Sequence, residues 1–424
     1  MTVSSTSRVT PAQIAGVTLG NALEFYDFLV FTFFAVEIGK AFFPAADPQS
    51  SLLASLATFG AGFMTRPLGG VVLGILGDRV GRRPAMLVSF ALIGFASLAV
   101  ALTPSYAQIG MAAPVLVIVW RLVQGFALGG EVGPSTAFLV EAAPHHRRGL
   151  YVSMQMFGQN AAVLVAGLVG IALAAVMSDA MLTIWGWRIA MALGVVVLPI
   201  GLALRRTLPE TAEHDPGERA PPVRSYARTA TIAFVLLLAG TTATYVTNYL
   251  TTFAKTALHL PSDAAFWATI GVGIGGTVGA PLGGWLADRY GRRPVAMAAF
   301  VMALVLTVPA FTFASKAPGL WSLFAVGLML RLITSISATS ALVWMTEDFP
   351  PRVRSGVLSI VYALAISIFG GSTQFVVAWL TGVTGNPLSP AWYMTGAVAI
   401  GLTAALAIRS TPVPSSELRA RPAW

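Results

Sequence analysis

The 424-residue chain contains no cysteine and only four histidines, His145, His146, His214 and His259. Disulfides, thiolate metal sites and a cysteine nucleophile are thereby excluded. The histidines lie in polar stretches and show no metal-ligand spacing. Charge is scarce too: 10% of residues are charged and 56% hydrophobic, and the mean hydropathy is +0.77. A soluble domain carries about 25% charged residues. A water-soluble enzyme or nucleic-acid-binding protein of this length would lack the polar surface to cover itself. With no nucleophile constellation, metal cluster or cofactor motif, neither an enzyme nor a cofactor is expected. The first ten residues are polar, carry one charge at Arg8, and lack the pattern of a cleaved signal peptide. The first apolar run is therefore expected to remain as a membrane span.

What the chain has in abundance is long apolar runs. About 20 helical residues cross a hydrocarbon core of about 30 Å. Such runs occur at 13–37, 52–76, 85–103, 112–141, 151–177, 187–205, 229–252, 264–287, 295–314, 320–345, 356–381 and 391–408. They are continuous rather than alternating, which excludes a β-barrel. The expectation is an all-α membrane protein of twelve transmembrane helices, with both termini on one side.

The arginines give the side. With the N-terminus taken as cytoplasmic, 19 of the 26 Lys+Arg fall in inner segments and 4 in outer ones (Lys40, Arg188, Lys255, Lys316). The other three, Arg66, Arg121 and Arg331, lie within spans. This is a positive-inside bias, so the net charge of +9 reflects topology rather than a nucleic-acid partner. Both termini are predicted cytoplasmic. The polar stretch Thr207–Ser225 divides the chain into a six-helix bundle (1–206), a cytoplasmic linker (207–227) and a second bundle with a short tail (228–424).

The halves repeat at one loop. Gly74-Ile-Leu-Gly-Asp78-Arg79-Val-Gly81-Arg82-Arg83-Pro84 recurs 210 residues later as Gly284-Trp-Leu-Ala-Asp288-Arg289-Tyr-Gly291-Arg292-Arg293-Pro294. Glu141 and Pro144 answer more weakly to Glu347 and Pro350. Parallel repeats imply a pseudo-twofold axis along the membrane normal and a substrate site between the halves near the midplane.

These paired loops, each between the second and third helix of its half, resemble the signature loops of the major facilitator superfamily of secondary transporters. Arg121-Leu-Val-Gln124-Gly125 resembles that superfamily's second motif. Gly20-Asn-Ala-Leu-Glu24-Phe-Tyr-Asp27-Phe, Arg66-Pro67-Leu-Gly-Gly and Gly186-Trp-Arg188 resemble the metabolite:proton symporter family. Within it, the 362–385 segment looks most like the citrate and tricarballylate symporters. A departure is Phe157-Gly-Gln159-Asn160, where that family leads one to expect a Gln pair; it bears on substrate choice. The resemblance implies the major facilitator fold and proton-coupled import of a small organic acid, a di- or tricarboxylate such as citrate. It also implies a bacterial inner-membrane protein, here expected to act as a monomer. Alternatives are another metabolite (an aromatic acid or zwitterionic osmolyte), Na+ as the coupling ion, proton-coupled efflux or, from a different class, a membrane sensor. A sensor should carry a soluble output domain, and the tail 409–424 is short.

An ionisable side chain inside a span costs several kcal/mol unless it is paired or hydrated. Glu24 and Asp27, three residues apart, share a helix face. Two close carboxylates raise each other's proton affinity, which suits a proton carrier as well as it suits a structural ion pair with Arg66. Glu131 is the third candidate. Arg121 and Gln124 share a face, and the guanidinium fork suits a substrate carboxylate. Arg331, sixteen residues before Glu347, or about 24 Å along a helix, also falls inside the bilayer. It is either a second substrate cation or a snorkelling arginine near the rim. Arg66 is expected to be committed to the first helix or the gate, leaving Arg121 and Arg331 as a two-arginine clamp. Gln159, Asn160, Tyr245, Asn248, Tyr362 and Gln374 are expected to line the cavity. By the resemblance, Asp78 caps the start of the eleventh helix, and by pseudosymmetry Asp288 caps the fifth near Gly149. Arg82 pairs with Glu141, and Arg292 with Glu347.

Overall fold

A computed structural model describes residues 11–80, 82–129, 139, 143–195, 226–349, 357 and 360–407. All regular structure among them is helical. The helices are α1 (Pro11–Phe33), α2 (Ala35–Phe42), α3 (Pro48–Met64), α4 (Arg66–Val80), α5 (Arg82–Leu102), α6 (Ala112–Gly129) and α7 (Arg148–Val176). After the helical stretch 181–195 come α8 (Ala227–Asn248), α9 (Leu250–Thr256), α10 (Ser262–Tyr290), α11 (Arg292–Lys316), α12 (Leu320–Asp348), α13 (Gly371–Thr384) and α14 (Ser389–Ala407).

Ten helical segments among the described residues are long and apolar enough to cross a membrane, and Leu87–Leu102 is a shorter apolar helix. The expected sixth span enters as 181–195, and its remainder lies outside the described residues. The protein is thus a multi-pass membrane protein. Several spans are broken rather than straight. α3 gives way to α4 at Thr65, where Pro67 removes a helix N–H and the Thr65 hydroxyl donates to the Leu122 carbonyl at 2.6 Å. This break carries Arg66. α8 gives way to α9 at Tyr249. A π-turn at Ile366–Gly370 precedes α13.

Close backbone crossings need glycine. Gly125 of α6 lies against the Gly62 carbonyl, where a Cβ would collide. Between the halves, Gly149 of α7 meets Gly284 of α10 in the same way. Small residues at such crossings let transmembrane helices pack in the absence of a hydrophobic drive between them. α10 lies along both α7 and α12 and joins the two halves. The two faces of the molecule are named here by their charge: the arginine-rich face holds Arg147, Arg148, Arg289, Arg292 and Arg293, and the arginine-poor face holds Lys40, Arg188, Lys255 and Lys316.

Candidate functional site

A central cavity with an atom-free volume of about 760 Å³, mouth included, opens between the halves. The first half supplies Phe25 and Leu29 from α1, Arg66 from α4, and Met156 and Gln159 from α7. The second half supplies Thr241, Thr244, Tyr245 and Asn248 from α8, Arg331 and Met345 from α12, and Tyr362 and Ile366, among others. Its described lining contains two guanidinium groups and no carboxylate.

Arg66 is 4% exposed. Its guanidinium lies over the rings of Phe28 and Phe63, 4.7 and 4.3 Å from their centroids. Its Nε and Nη2 are buried without a hydrogen-bond acceptor among the described residues. Arg331, 5% exposed, is held through Nε and Nη1. Its Nε donates to Asn160 Oδ1 at 2.8 Å, and Nη1 donates to the Thr244 carbonyl and Thr247 Oγ1 at 3.1 and 3.0 Å. It lies deep in the bundle on the cavity wall, not at the rim.

Arg121 departs from the expected clamp. It is fully buried behind the cavity, over Phe28 and Phe31 at 4.3 and 4.4 Å, and Nη1 donates to Gln124 Oε1 at 2.6 Å. Gln124 Nε2 donates to Ser97 Oγ at 2.7 Å, and Ser97 in turn hydrogen-bonds Asp27. Arg121 and Gln124 therefore belong to a polar chain inside the first bundle. The reason is helical phase: the Thr65 break lets α4 rather than α6 present a cation to the cavity. Phe28 separates the two arginines, with one guanidinium near each.

The carboxylates share this rear compartment. Glu24 and Asp27 are 2% and 3% exposed and interact electrostatically. Asp27 Oδ1 has no hydrogen-bond partner among the described residues and points at Gly194, which has no side chain to occupy that space. The cavity face of α1 is instead that of Phe25 and Leu29. Glu131 lies outside the described residues.

Of the other expected cavity residues, Gln159, Tyr245, Asn248 and Tyr362 line it. Buried Asn248 Oδ1 and Gln159 Nε2 have no hydrogen-bond partner among the described residues. Asn160 does not line it; its side chain bridges the halves by receiving Arg331 Nε. Gln374 also lies off the cavity, hydrogen-bonded to Thr32 of α1. Among the polar lining residues, Arg66 was expected at the first helix or the gate, and Thr241 and Thr244 carried no expectation. Pro67 beside Arg66 was the one available signal of a break.

At the arginine-rich face, Asp288 accepts the Gly149 and Leu150 N–H groups, each at 3.0 Å, at the start of α7. Arg292 holds Glu347 through Nε and Nη2, both at 3.0 Å. Glu141 and the side chains of Asp78 and Arg82 lie outside the described residues. At the arginine-poor face, Lys255 Nζ meets Glu37 Oε1 at 2.7 Å, tying α9 to α2.

The chain belongs to the major facilitator superfamily. The family described as Major Facilitator Superfamily matches residues 232–423, and that described as Sugar (and other) transporter matches 14–220. Among curated proteins, the chain is 37% identical to a citrate-proton symporter of Klebsiella pneumoniae, over 95% of each chain. It is 33% identical to the alpha-ketoglutarate permease of Escherichia coli K12, over 93% of this chain and 94% of the other. It is 32% identical to that organism's proline/betaine transporter, over 94% and 83%. Among solved structures, a D-xylose-proton symporter superposes with a TM-score of 0.72 at 21% identity, covering 93% of this chain and 96% of the other. That likeness bears on the twelve-helix fold alone. Membership puts the chain among transporters, not enzymes.

Proposed function

We propose that this protein is a proton-coupled symporter that imports a small organic polyanion, a di- or tricarboxylate such as citrate, across the bacterial inner membrane. The observation that carries this reading is Arg66: a buried guanidinium on the cavity wall whose Nε and Nη2 have no acceptor among the described residues, sharing with Arg331 a cavity whose described lining holds no carboxylate. A buried unpaired charge is costly, and a substrate carboxylate at each arginine would relieve it. One cation from each half lets the substrate draw the halves together. Citrate and alpha-ketoglutarate relatives support a polyanion; the betaine relative, whose named substrate is a zwitterion, is less suited to two fixed cations.

Glu24 and Asp27 are the proton carriers in this reading. They sit within the first bundle, linked through Ser97 and Gln124 to Arg121. Arg121 thus answers to the protonation of Asp27, while Arg66 answers to substrate on the far side of Phe28. Asp288, Arg292 and Glu347 act as the gate at the arginine-rich face, which is cytoplasmic, as are both termini. The functional units are the bundles 1–206 and 228–424, joined by the linker 207–227.

Uptake into proteoliposomes tests this. Radiolabelled citrate, 2-oxoglutarate and glycine betaine are offered under an imposed proton gradient, and again under a sodium gradient. Citrate or 2-oxoglutarate accumulating under the proton gradient is the expected result. Accumulation of betaine alone would remove the polyanion reading, and sodium-only accumulation would remove the proton.

A further inference from the structure

A second basin lies apart from the central cavity, wholly within the first half at the arginine-poor face. Its lining runs from Lys40 on α2, through the 101–108 turn after α5, to Thr183, Trp185 and Arg188 on the helical stretch 181–195. Two features make it more than a surface dent. The first is a prepositioned cation. Arg188 Nη1 donates to the Ile184 carbonyl at 2.6 Å, Nη2 donates to the Thr103 carbonyl at 3.0 Å, and the guanidinium stacks 4.0 Å from the Trp187 ring centroid. A planar guanidinium has five N–H donors, so donors remain for a further oxygen acceptor.

The second is unbalanced charge. Lys40 and Arg188 both line the basin, and its described lining contains no carboxylate. The acid one turn before Lys40, Glu37, is taken by Lys255 of the other half. Asp47, in the loop before α3, is spent on capping that helix, where its side chain accepts the Ser50 hydroxyl and the Gln49 and Ser50 N–H groups, bonds that hold its pKa low. Asp179, one turn before Thr183, is exposed and forms no ion pair with either cation among the described residues.

Position decides which anion fits. α1 and α2 together run from Pro11 to Phe42, about 48 Å at 1.5 Å per residue. That exceeds the hydrocarbon core of about 30 Å and sets Lys40 at headgroup depth. Exposed Leu102, Met111, Val176, Ile184 and Trp185 surround this end of the bundle, a collar suited to acyl chains, with Trp at the level where interfacial aromatics collect.

We propose that the Lys40–Arg188 basin binds the phosphate of an anionic phospholipid, its acyl chains lying on the Leu102–Met111–Ile184 collar. The bound lipid joins α2 to the 181–195 helix, and the site is independent of the transported substrate.

The test uses the purified full chain in neutral detergent, with dihexanoyl phosphatidylglycerol, dihexanoyl phosphatidylcholine and inorganic phosphate as separate probes of thermal unfolding. Phosphatidylglycerol should give a saturable rise in the unfolding midpoint that the other two do not. Lys40→Gln, which removes no side-chain hydrogen bond to the described residues, should weaken that apparent affinity about tenfold. Arg188→Gln should weaken it further. Native mass spectrometry should show one phosphatidylglycerol adduct retained by the parent and depleted in Lys40→Gln. Equal shifts with phosphatidylcholine would make the collar a generic lipid surface. Equal shifts with phosphate would make the basin a free-anion site. An unaltered Lys40→Gln would remove the basin from lipid binding. Each of these overturns the proposal.

Discussion

Lys255 Nζ lies 2.7 Å from Glu37 Oε1 with both side chains almost fully buried, at 7% and 6% exposure, and joins the ends of α9 and α2 across the two halves. The ammonium also sits 4.5 Å from the Phe266 ring centroid and 5.7 Å from that of Phe34. Breaking a buried pair from one side costs about 3–5 kcal/mol, because a charge is left without compensation. That cost falls on the form in which this face is closed. Glu37→Gln should therefore raise the population open at the arginine-poor face by at least about tenfold. Glu37→Gln combined with Lys255→Met should return toward the parent, since an apolar replacement of both partners is often neutral. The chain has no cysteine, so spin labels on two introduced cysteines report the distance across this face without background. Distances that stay at parental values in Glu37→Gln would show that the pair does not hold the face shut.

The Asp288 cap predicts the opposite displacement. Its carboxylate faces the positive end of α7, where an anion is worth about 0.3–1 kcal/mol, and up to about 2 when partly buried. Asp288→Asn should widen the label distance at the arginine-rich face, a roughly 2- to 30-fold shift in population. A distance distribution indistinguishable from the parent would assign the cap no part in gating.

The arginine variants should separate binding from coupling. Arg66→Lys and Arg331→Lys keep the charge and lose the fork that matches a carboxylate. A charge-assisted hydrogen bond is worth about 1.5–3 kcal/mol, or roughly 10- to 150-fold in affinity. Calorimetry should show that loss for citrate and a smaller one for a monocarboxylate. Arg121→Lys should leave the citrate Kd nearly unchanged and lower uphill transport instead. If Arg121→Lys weakens binding as much as Arg66→Lys, the cavity assignment is reversed.

The rear carboxylates predict a split between two transport modes. Asp27→Asn should abolish proton-driven accumulation and retain counterflow, which needs no net proton movement. Glu24→Gln tests the other member of the pair in the same assay. If both variants still concentrate substrate down a proton gradient, the coupling group lies elsewhere, and Glu131 becomes the next to replace.

The apolar runs, the arginine distribution and the duplicated Gly74/Gly284 loop were sufficient to establish a multi-pass helical bundle of two related halves. Each is a one-dimensional property: bilayer thickness sets helix length, insertion sets charge placement, and duplication leaves matching strings. The same loops, with the resemblance that makes Asp78 a helix cap, led to the Asp288–Gly149 contact across the halves and to the Arg292–Glu347 pair within the second half. Which arginine meets the cavity was not legible there. Arg66 and Arg121 are both lone cations in apolar helices, and only the break at Thr65, fixed by its bond to the Leu122 carbonyl, turns the first inward and leaves the second behind Phe28. Asn160 and Gln374 read as cavity residues, yet they serve as bonds between helices, because a polar side chain in a span states its need for a partner without naming it. The Glu37–Lys255 bridge spans 218 residues, and no local spacing announces it. Helix length follows from the membrane as solvent; the rotation and crossing of each helix follow from backbone breaks and glycine contacts that exist only once the bundle has packed.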